Sequence, residues 1–302
     1  MTGVAIIFVP GIRAKPPPEV QRAHLARCLE AALLRCGADA SEAAVLTDAL
    51  ELVPWSFGFY GEHQDIAPFL TGINGLLVGA GDLESDRREA LGPGQRFTSA
   101  MYAIGDRFPA LGRLFATPRM QSRLREMNRY FDDEGGAGTR IRGLLARQLR
   151  RAWDAGQRVM LVGHSFGSVI AYDTLWQLTH EAKSSNTVDC FISMGSPLAL
   201  RYIRRRLHGS EAAGARRYPG NIRRWLNLAA VGEVTALDRK IADSYRQMLA
   251  LGLVQRIDDN LDVLNRFRGP SGLNAHKCYG YFASDTLGAA VLEWYRGSGS
   301  LD

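Results

Sequence analysis

One pentapeptide constrains this chain more than any other stretch: Gly163-His164-Ser165-Phe166-Gly167. Before it runs the wholly apolar Val159-Met160-Leu161-Val162, and after it residues 168–180 carry apolar side chains at helical spacing. A short continuous apolar run suits a strand covered on both faces of a parallel sheet. The bare G-x-S-x-G pattern arises by chance in a glycine-rich chain, so the strand and helix around it are what make it informative. Between those two elements the pattern demands a sharp turn. Such a turn lifts the serine hydroxyl clear of the sheet, while the flanking glycines let backbones crowd together. The helix start then points its dipole and free N–H groups at any negative charge that develops there. A glycine-rich turn with an incidental serine is the plain alternative.

The rest of the chain reads as strands alternating with helices. Val4-Ala5-Ile6-Ile7-Phe8-Val9, ended by Pro10-Gly11, is a second buried-strand pattern. Pro16-Pro17-Pro18 precedes a helix over about 19–36, and residues 50–57 form a strand expectation that Pro54 weakens. An amphipathic helix is expected over 139–154, strands at 191–194, 225–228 and 253–258, and helices near 235–250 and from Ser284-Asp285 onward. This alternation implies an α/β fold with a mainly parallel, doubly wound sheet of about six strands. The interval from about 60 to 135 is too long for a plain connection and reads as a largely helical insertion, a cap within a single domain spanning 1–302.

Composition narrows the function classes. At 46% hydrophobic and 23% charged, the chain of 302 residues is neither disordered nor collagen-like. No apolar run reaches the roughly 18–20 residues of a membrane span, and the first ten residues lack a basic n-region and a cleavage site, so the expected compartment is the cytoplasm. The four cysteines are scattered without a C-x-x-C pair, which points away from metal and redox sites and toward free thiols. Neither a cofactor nor a metal is expected. Lys and Arg number 37 against 31 Asp and Glu, yet only Lys15, Lys183, Lys240 and Lys277 are lysines. An arginine skew of this kind in an Ala- and Gly-rich chain fits a GC-rich coding sequence, whereas a basic balance also suits acidic partners.

At the elbow the sequence resembles the α/β-hydrolase superfamily: residues 163–173, Gly-His-Ser-Phe-Gly-Ser-Val-Ile-Ala-Tyr-Asp, look like the elbow of its lipase- and esterase-like members. The resemblance implies a Ser-acid-His chain order. Ser165 would be the nucleophile. Of the histidines that follow it, His180 sits on the helix leaving the elbow and His208 in an arginine cluster. His276, in the polar loop Leu273-Asn274-Ala275-His276-Lys277-Cys278-Tyr279, matches the family's histidine loop; a solvent-exposed loop histidine is the bland alternative. The family often shows W-x-N followed six residues on by an aspartate. Counting from Asn227 reaches Glu233, with Asp238 next in line and Asp258 third; a carboxylate complementing a helix dipole is the alternative for Glu233. The oxyanion would rest on the N–H of Phe166 and on a second donor in Val9-Pro10-Gly11-Ile12, at Ile12 or Arg13. Gly195-Ser196-Pro197-Leu198 resembles the loop after the next strand and is read as pocket architecture.

The function so implied is a serine esterase or lipase acting on carboxylic, acyl- or lipid-like esters. Thioesterase and amidase activities share the same chemistry, and a non-catalytic ligand-binding scaffold is the contrasting reading. Phe69, Leu70, Ile73, Leu76, Leu77, Met101, Phe108, Leu111, Leu114 and Phe115 could line an acyl pocket or pack the insertion onto the sheet. Arg201, Arg204, Arg205, Arg206, Arg216, Arg217, Arg223 and Arg224 either meet anionic lipid headgroups in a peripheral membrane contact or are simply solvated. No nucleic-acid motif accompanies them, so no nucleic-acid partner is expected.

Overall fold

In the computed structural model, residues 3–79, 83–92, 118–233, 240–270 and 272–297 are described. Six strands make one sheet: β1 (Val4–Val9), β2 (Leu50–Leu52), β3 (Arg158–His164), β4 (Val188–Met194), β5 (Ile222–Ala230) and β6 (Arg256–Val263). Their order is β2-β1-β3-β4-β5-β6, and every neighbouring pair is parallel. From β1 the chain steps outward to β2 and then returns to the other side of β1 for β3. The sheet therefore reverses its winding between β1 and β3, and the carboxyl ends flanking such a switch point open into the crevice where parallel sheets bind ligands. β1 and β3 are paired through Val9↔Gly163, so the elbow and the loop after β1 leave the sheet side by side.

Alternation along β1 divides the core into two layers. Ala5, Ile7 and Val9 face α7 (Ala137–Asp154), α8 (Phe166–His180) and α10 (Ile241–Ala250), while Ile6 and Phe8 face α1 (Pro18–Arg35) and α12 (Asp285–Arg296). Since both faces are covered, both sets of side chains must be apolar, which is why the strand reads as an unbroken run.

Three expectations shift. The second strand is only Leu50–Leu52, because Pro54 has no N–H for a ladder and instead precedes the short helix α3 (Trp55–Tyr60). The last strand lies at Arg256–Val263 rather than 253–258; Asp258, Asp259 and Asn260 are tolerated because β6 is an edge strand with polar neighbours. An unexpected helix, α2 (Ala40–Asp48), is closed by a capping box: Asp39 accepts from the Glu42 N–H at 2.8 Å and Glu42 from the Asp39 N–H at 3.0 Å. Within the interval 60–135, the described parts are α4 (Ala67–Val78), α5 (Leu83–Ala90) and α6 (Pro118–Phe131). Met101, Phe108, Leu111, Leu114 and Phe115 lie outside the described residues, as does Asp238. α6 returns to the core through Tyr130, buried against Phe166 and Phe131, with its hydroxyl donating to the buried Asp173 at 3.0 Å.

Candidate active site

The elbow is built by exclusion of side chains. A Cβ on Gly163 would lie 2.6 Å from Ser168 Cα, one on Gly167 would overlap the Val9 carbonyl, and one on Gly11 would lie 2.9 Å from Ser165 Cβ. The ends of β1 and β3 and the start of α8 meet here, and only glycine lets these backbones approach so closely. Ser165 itself sits at φ 53°, ψ −128°, strained for a residue with a side chain. Its N–H donates to Met194 O at 2.8 Å, and its carbonyl accepts from the Ser168 hydroxyl at 2.6 Å. Both ends of the strained peptide are thereby pinned, and Oγ is the part left pointing outward.

His276 arrives from the loop between β6 and α11 (Cys278–Phe282), with Nε2 3.0 Å from Ser165 Oγ. Its Nδ1 is hydrogen-bonded to Glu233 Oε1. Glu233 follows β5, has a wholly buried side chain, and accepts further bonds at Oε2 from the Tyr281 hydroxyl and, at 3.2 Å, the Ala230 N–H. Burial by itself raises the Glu233 pKa; the charge of His276 and the donors from His276, Tyr281 and Ala230 outweigh it and hold the carboxyl below its ordinary value. The group is an anion at neutral pH, despite being buried.

Three of the sequence-derived candidates are thus brought together: Ser165, His276 and Glu233. Asp258 is not among them, since its carboxylate pairs with Arg256 at 2.6 Å well down β6. The other two histidines after the serine are engaged elsewhere: His180 with Tyr218 O at 2.7 Å, and His208 against Trp176 in a tilted ring contact. Asn227 and Trp225, which set the count to Glu233, form a buried network. Trp225 donates to Ser193 Oγ at 2.9 Å, Ser193 to Asn227 at 3.0 Å, and Asn227 to Asp259 at 2.8 Å.

Of the two second-donor candidates, Arg13 has its N–H committed to the Tyr60 hydroxyl at 2.6 Å. Arg13 adopts φ 84°, and Lys15 Nζ donates to the carbonyls of Ile12 at 2.7 Å and Arg13 at 3.0 Å. Those two carbonyls therefore turn toward Lys15, and Ile12 follows directly on the glycine that touches Ser165. Phe166 is the first residue of α8, where an N–H has no intrahelical acceptor.

Several supporting residues have no role that the sequence assigned to them. Gly195, at φ 54°, makes room for the acid: a Cβ there would overlap Glu233 Oε1 and lie 3.0 Å from its Cδ. His164, the first variable residue of the pentapeptide, is buried and kept neutral by burial and by the charge of His276, and its Nε2–H donates to His276 O at 2.8 Å. Asn265 Nδ2 donates to Ala275 O and Lys277 O, both at 2.9 Å, bracketing His276. The Gly195 signal was legible in Gly-Ser-Pro; nothing in the sequence singled out Tyr281 or Asn265.

The described part of the insertion is mostly anchored. Ile73 is buried, and Phe69, Leu76 and Leu77 pack on the same core layer. A cavity of about 30 Å³ lined by Tyr172, His208 and Tyr245 has room for a water or two and not for an acyl chain. The arginine cluster is split: Arg223 and Arg224 begin β5 and pair with Asp189 and Glu293, whereas Arg206 pairs with Asp132 beyond the opposite end of the sheet. Among the described residues, no group of His, Cys, Asp and Glu is set to hold a metal ion, and no helix is long and apolar enough to cross a membrane.

Residues 145–210, which contain the elbow and the loop after β4, match the family model described as LCAT: Lecithin:cholesterol acyltransferase. No curated protein and no solved structure matches the chain. This match and the all-parallel, six-stranded sheet flanked by helices fit an α/β-hydrolase fold, with lipase-like similarity over the matched segment. The similarity is to ester-acting hydrolases and acyltransferases.

Proposed function

We propose that this chain is a serine hydrolase that cleaves carboxylic esters of acyl- or lipid-like substrates through an acyl-enzyme. The observation that carries the reading is the continuous relay from Ser165 Oγ to His276 Nε2 at 3.0 Å and from His276 Nδ1 to the buried Glu233 carboxylate. Ser165 Oγ attacks the ester carbonyl carbon while His276 Nε2 takes its proton. Glu233, already an anion, fixes the imidazole tautomer and stabilises the imidazolium that forms. The N–H groups of Phe166 and Ile12 receive the negative charge that builds on the carbonyl oxygen. His276 then protonates the departing alcohol, and a water activated by the same ring releases the acyl group. The insertion at 60–135 is assigned a capping role, supported by its described residues Tyr130 and Phe131, which pack against Phe166. Free thiols at Cys28, Cys36, Cys190 and Cys278 favour a reducing compartment, the cytoplasm.

A second reading is favoured by the description of the matched family as an acyltransferase: an acceptor alcohol replaces water in the last step, with the first half-reaction unchanged. Turnover of short p-nitrophenyl esters by the wild type, lost in Ser165→Ala, is the expected result. Undiminished turnover in that variant removes the proposal. Added alcohols that divert the acyl group to a new ester distinguish transfer from hydrolysis.

A further inference from the structure

The loop that leaves β1 beside Ser165 is fastened along its length by groups outside the relay. Trp55 Nε1–H donates to Pro10 O at 2.9 Å, the Arg13 N–H to the Tyr60 hydroxyl at 2.6 Å, and the Gln64 N–H to Lys15 O at 2.9 Å. From within the loop, Lys15 Nζ donates to Ile12 O at 2.7 Å and Arg13 O at 3.0 Å. The Ile12 N–H is in none of these bonds, and among the described residues it has no partner. It lies one peptide bond beyond Gly11, where an added Cβ would come within 2.9 Å of Ser165 Cβ.

The geometry of the peptide makes these contacts act on that N–H. Ile12 O and the Arg13 N–H belong to one trans peptide plane and point in opposite directions, so Lys15 and Tyr60 hold the plane from its two sides. Trp55 holds the Pro10–Gly11 plane. The Gly11–Ile12 plane, which carries the Ile12 N–H, is therefore set between two pinned planes. Arg13 takes φ 84°, a left-handed conformation that persists in a residue with a side chain only where its surroundings impose it.

Tyr60 passes the constraint on to the insertion. Its hydroxyl donates to Glu126 Oε2 at 2.9 Å, and Ser122 Oγ donates to Glu126 Oε1 at 3.1 Å. Accepting from Arg13 while donating to Glu126 requires the neutral phenol, and burial keeps the proton on Tyr60. The same helix, α6, reaches the other oxyanion donor as well: the Tyr130 and Phe131 rings meet the Phe166 ring edge-on, at 5.1 and 5.6 Å between centroids.

We propose that Lys15, Tyr60 and Glu126 are positioning residues for the oxyanion hole, holding the Ile12–Arg13 peptide so that the Ile12 N–H is aimed at the oxygen that turns negative when Ser165 attacks. This deepens the hydrolase reading and rests on it. The three act through the backbone of the loop and leave the proton relay to His276 and Glu233.

Paired oxygen and sulfur substrates separate this role from a purely structural one, because sulfur accepts hydrogen bonds weakly. kcat and KM are measured for p-nitrophenyl butyrate and for its thiono ester, in which C=S replaces C=O. Tyr60→Phe lacks one oxygen, the acceptor of the Arg13 N–H. It is expected to lower kcat on the oxygen ester about tenfold to a hundredfold with KM nearly constant, so that the oxygen-to-sulfur ratio of kcat/KM falls by a similar factor. Lys15→Met lowers the ratio in the same way from the other side of the peptide. Glu126→Leu lowers it less, and Glu126→Gln, whose amide oxygen still accepts from Tyr60, recovers most of that loss. Folded Tyr60→Phe and Lys15→Met proteins, checked by thermal melts, that keep the wild-type ratio overturn the proposal, as does an equal loss on both substrates. A wild type that turns over neither substrate and takes no fluorophosphonate at Ser165 sinks the hydrolase reading, and the positioning role with it. Where Ser165 is labelled without turnover, the phosphonylation rate of the same variants is the readout, since the P=O oxygen enters the same hole: a fall of about tenfold in Tyr60→Phe supports the proposal and an unchanged rate overturns it.

Discussion

Gly195→Ala is the sharpest perturbation of the acid's position, because it touches neither Ser165 nor His276. Residue 195 has φ 54°, a conformation that costs a residue with a Cβ about 1–2 kcal/mol. The new methyl would overlap Glu233 Oε1 and lie 3.0 Å from Cδ, so the carboxylate must withdraw by about 1 Å to restore ordinary contact. Glu233 cannot withdraw freely, since Tyr281 and the Ala230 N–H hold its other oxygen. A displacement of about 1 Å in a relay of this kind costs about a hundredfold in rate. The variant is therefore expected to fold, to melt a few degrees lower, and to lose about two orders of magnitude in kcat/KM on p-nitrophenyl butyrate. Thermal melts and steady-state kinetics on the same preparation read both quantities. A folded Gly195→Ala protein with wild-type kcat/KM would refute the reasoning and return the acid role to another carboxylate, Asp238 being next in sequence.

Two further substitutions test the buried carboxylates, with opposite signs. Tyr281→Phe removes a donor to Glu233 and the nearer of two acceptors of the Ala230 N–H, at 2.8 Å. The folded-state pKa of Glu233 is depressed, so the stability it contributes is present above its unfolded pKa of about 4.3 and is lost as pH falls below it. Tyr281→Phe should therefore cost about 1–2 kcal/mol in urea unfolding at pH 7 and less near pH 3.5; a gap constant with pH contradicts this. Asp173 behaves in the reverse sense. Burial raises its carboxyl to about 7, although the His208 N–H, Arg142 and the Tyr130 hydroxyl pull it down. The folded state then holds a proton that the unfolded state has lost, and wild-type stability declines from about pH 4 to pH 7. Asp173→Asn keeps an oxygen acceptor for the His208 N–H, turns its amide N–H toward the Tyr130 oxygen, and removes that slope, so the variant gains on the wild type between pH 5 and pH 8. Parallel stability curves for the two proteins would show that Asp173 does not hold a proton in this window.

Much of the fold was legible because a parallel sheet buried on both faces writes itself as apolar runs. β1 and β3 are such runs, and the elbow between β3 and α8 lies within one residue of where the glycines set it. β2 and β6 were misplaced for the opposite reason. Both are edge strands, where one ladder side is open and Pro54, Asp258 and Asp259 are tolerated. The acid came from counting residues, not from any local signal. What makes Glu233 an anion in the core is tertiary: His276 from the loop before α11, then Tyr281 of α11 and the Ala230 N–H at the bulge in β5, in the space left at Gly195.

The central claim is that Ser165 is a nucleophile activated by His276, and covalent labelling tests it most directly. The folded protein is treated with a fluorophosphonate and the modified peptide identified by mass spectrometry, alongside His276→Ala. A single adduct on Ser165, formed at least a hundredfold more slowly without the histidine, is the expected outcome. An unlabelled Ser165 in the wild type, or labelling at the same rate in His276→Ala, would contradict it.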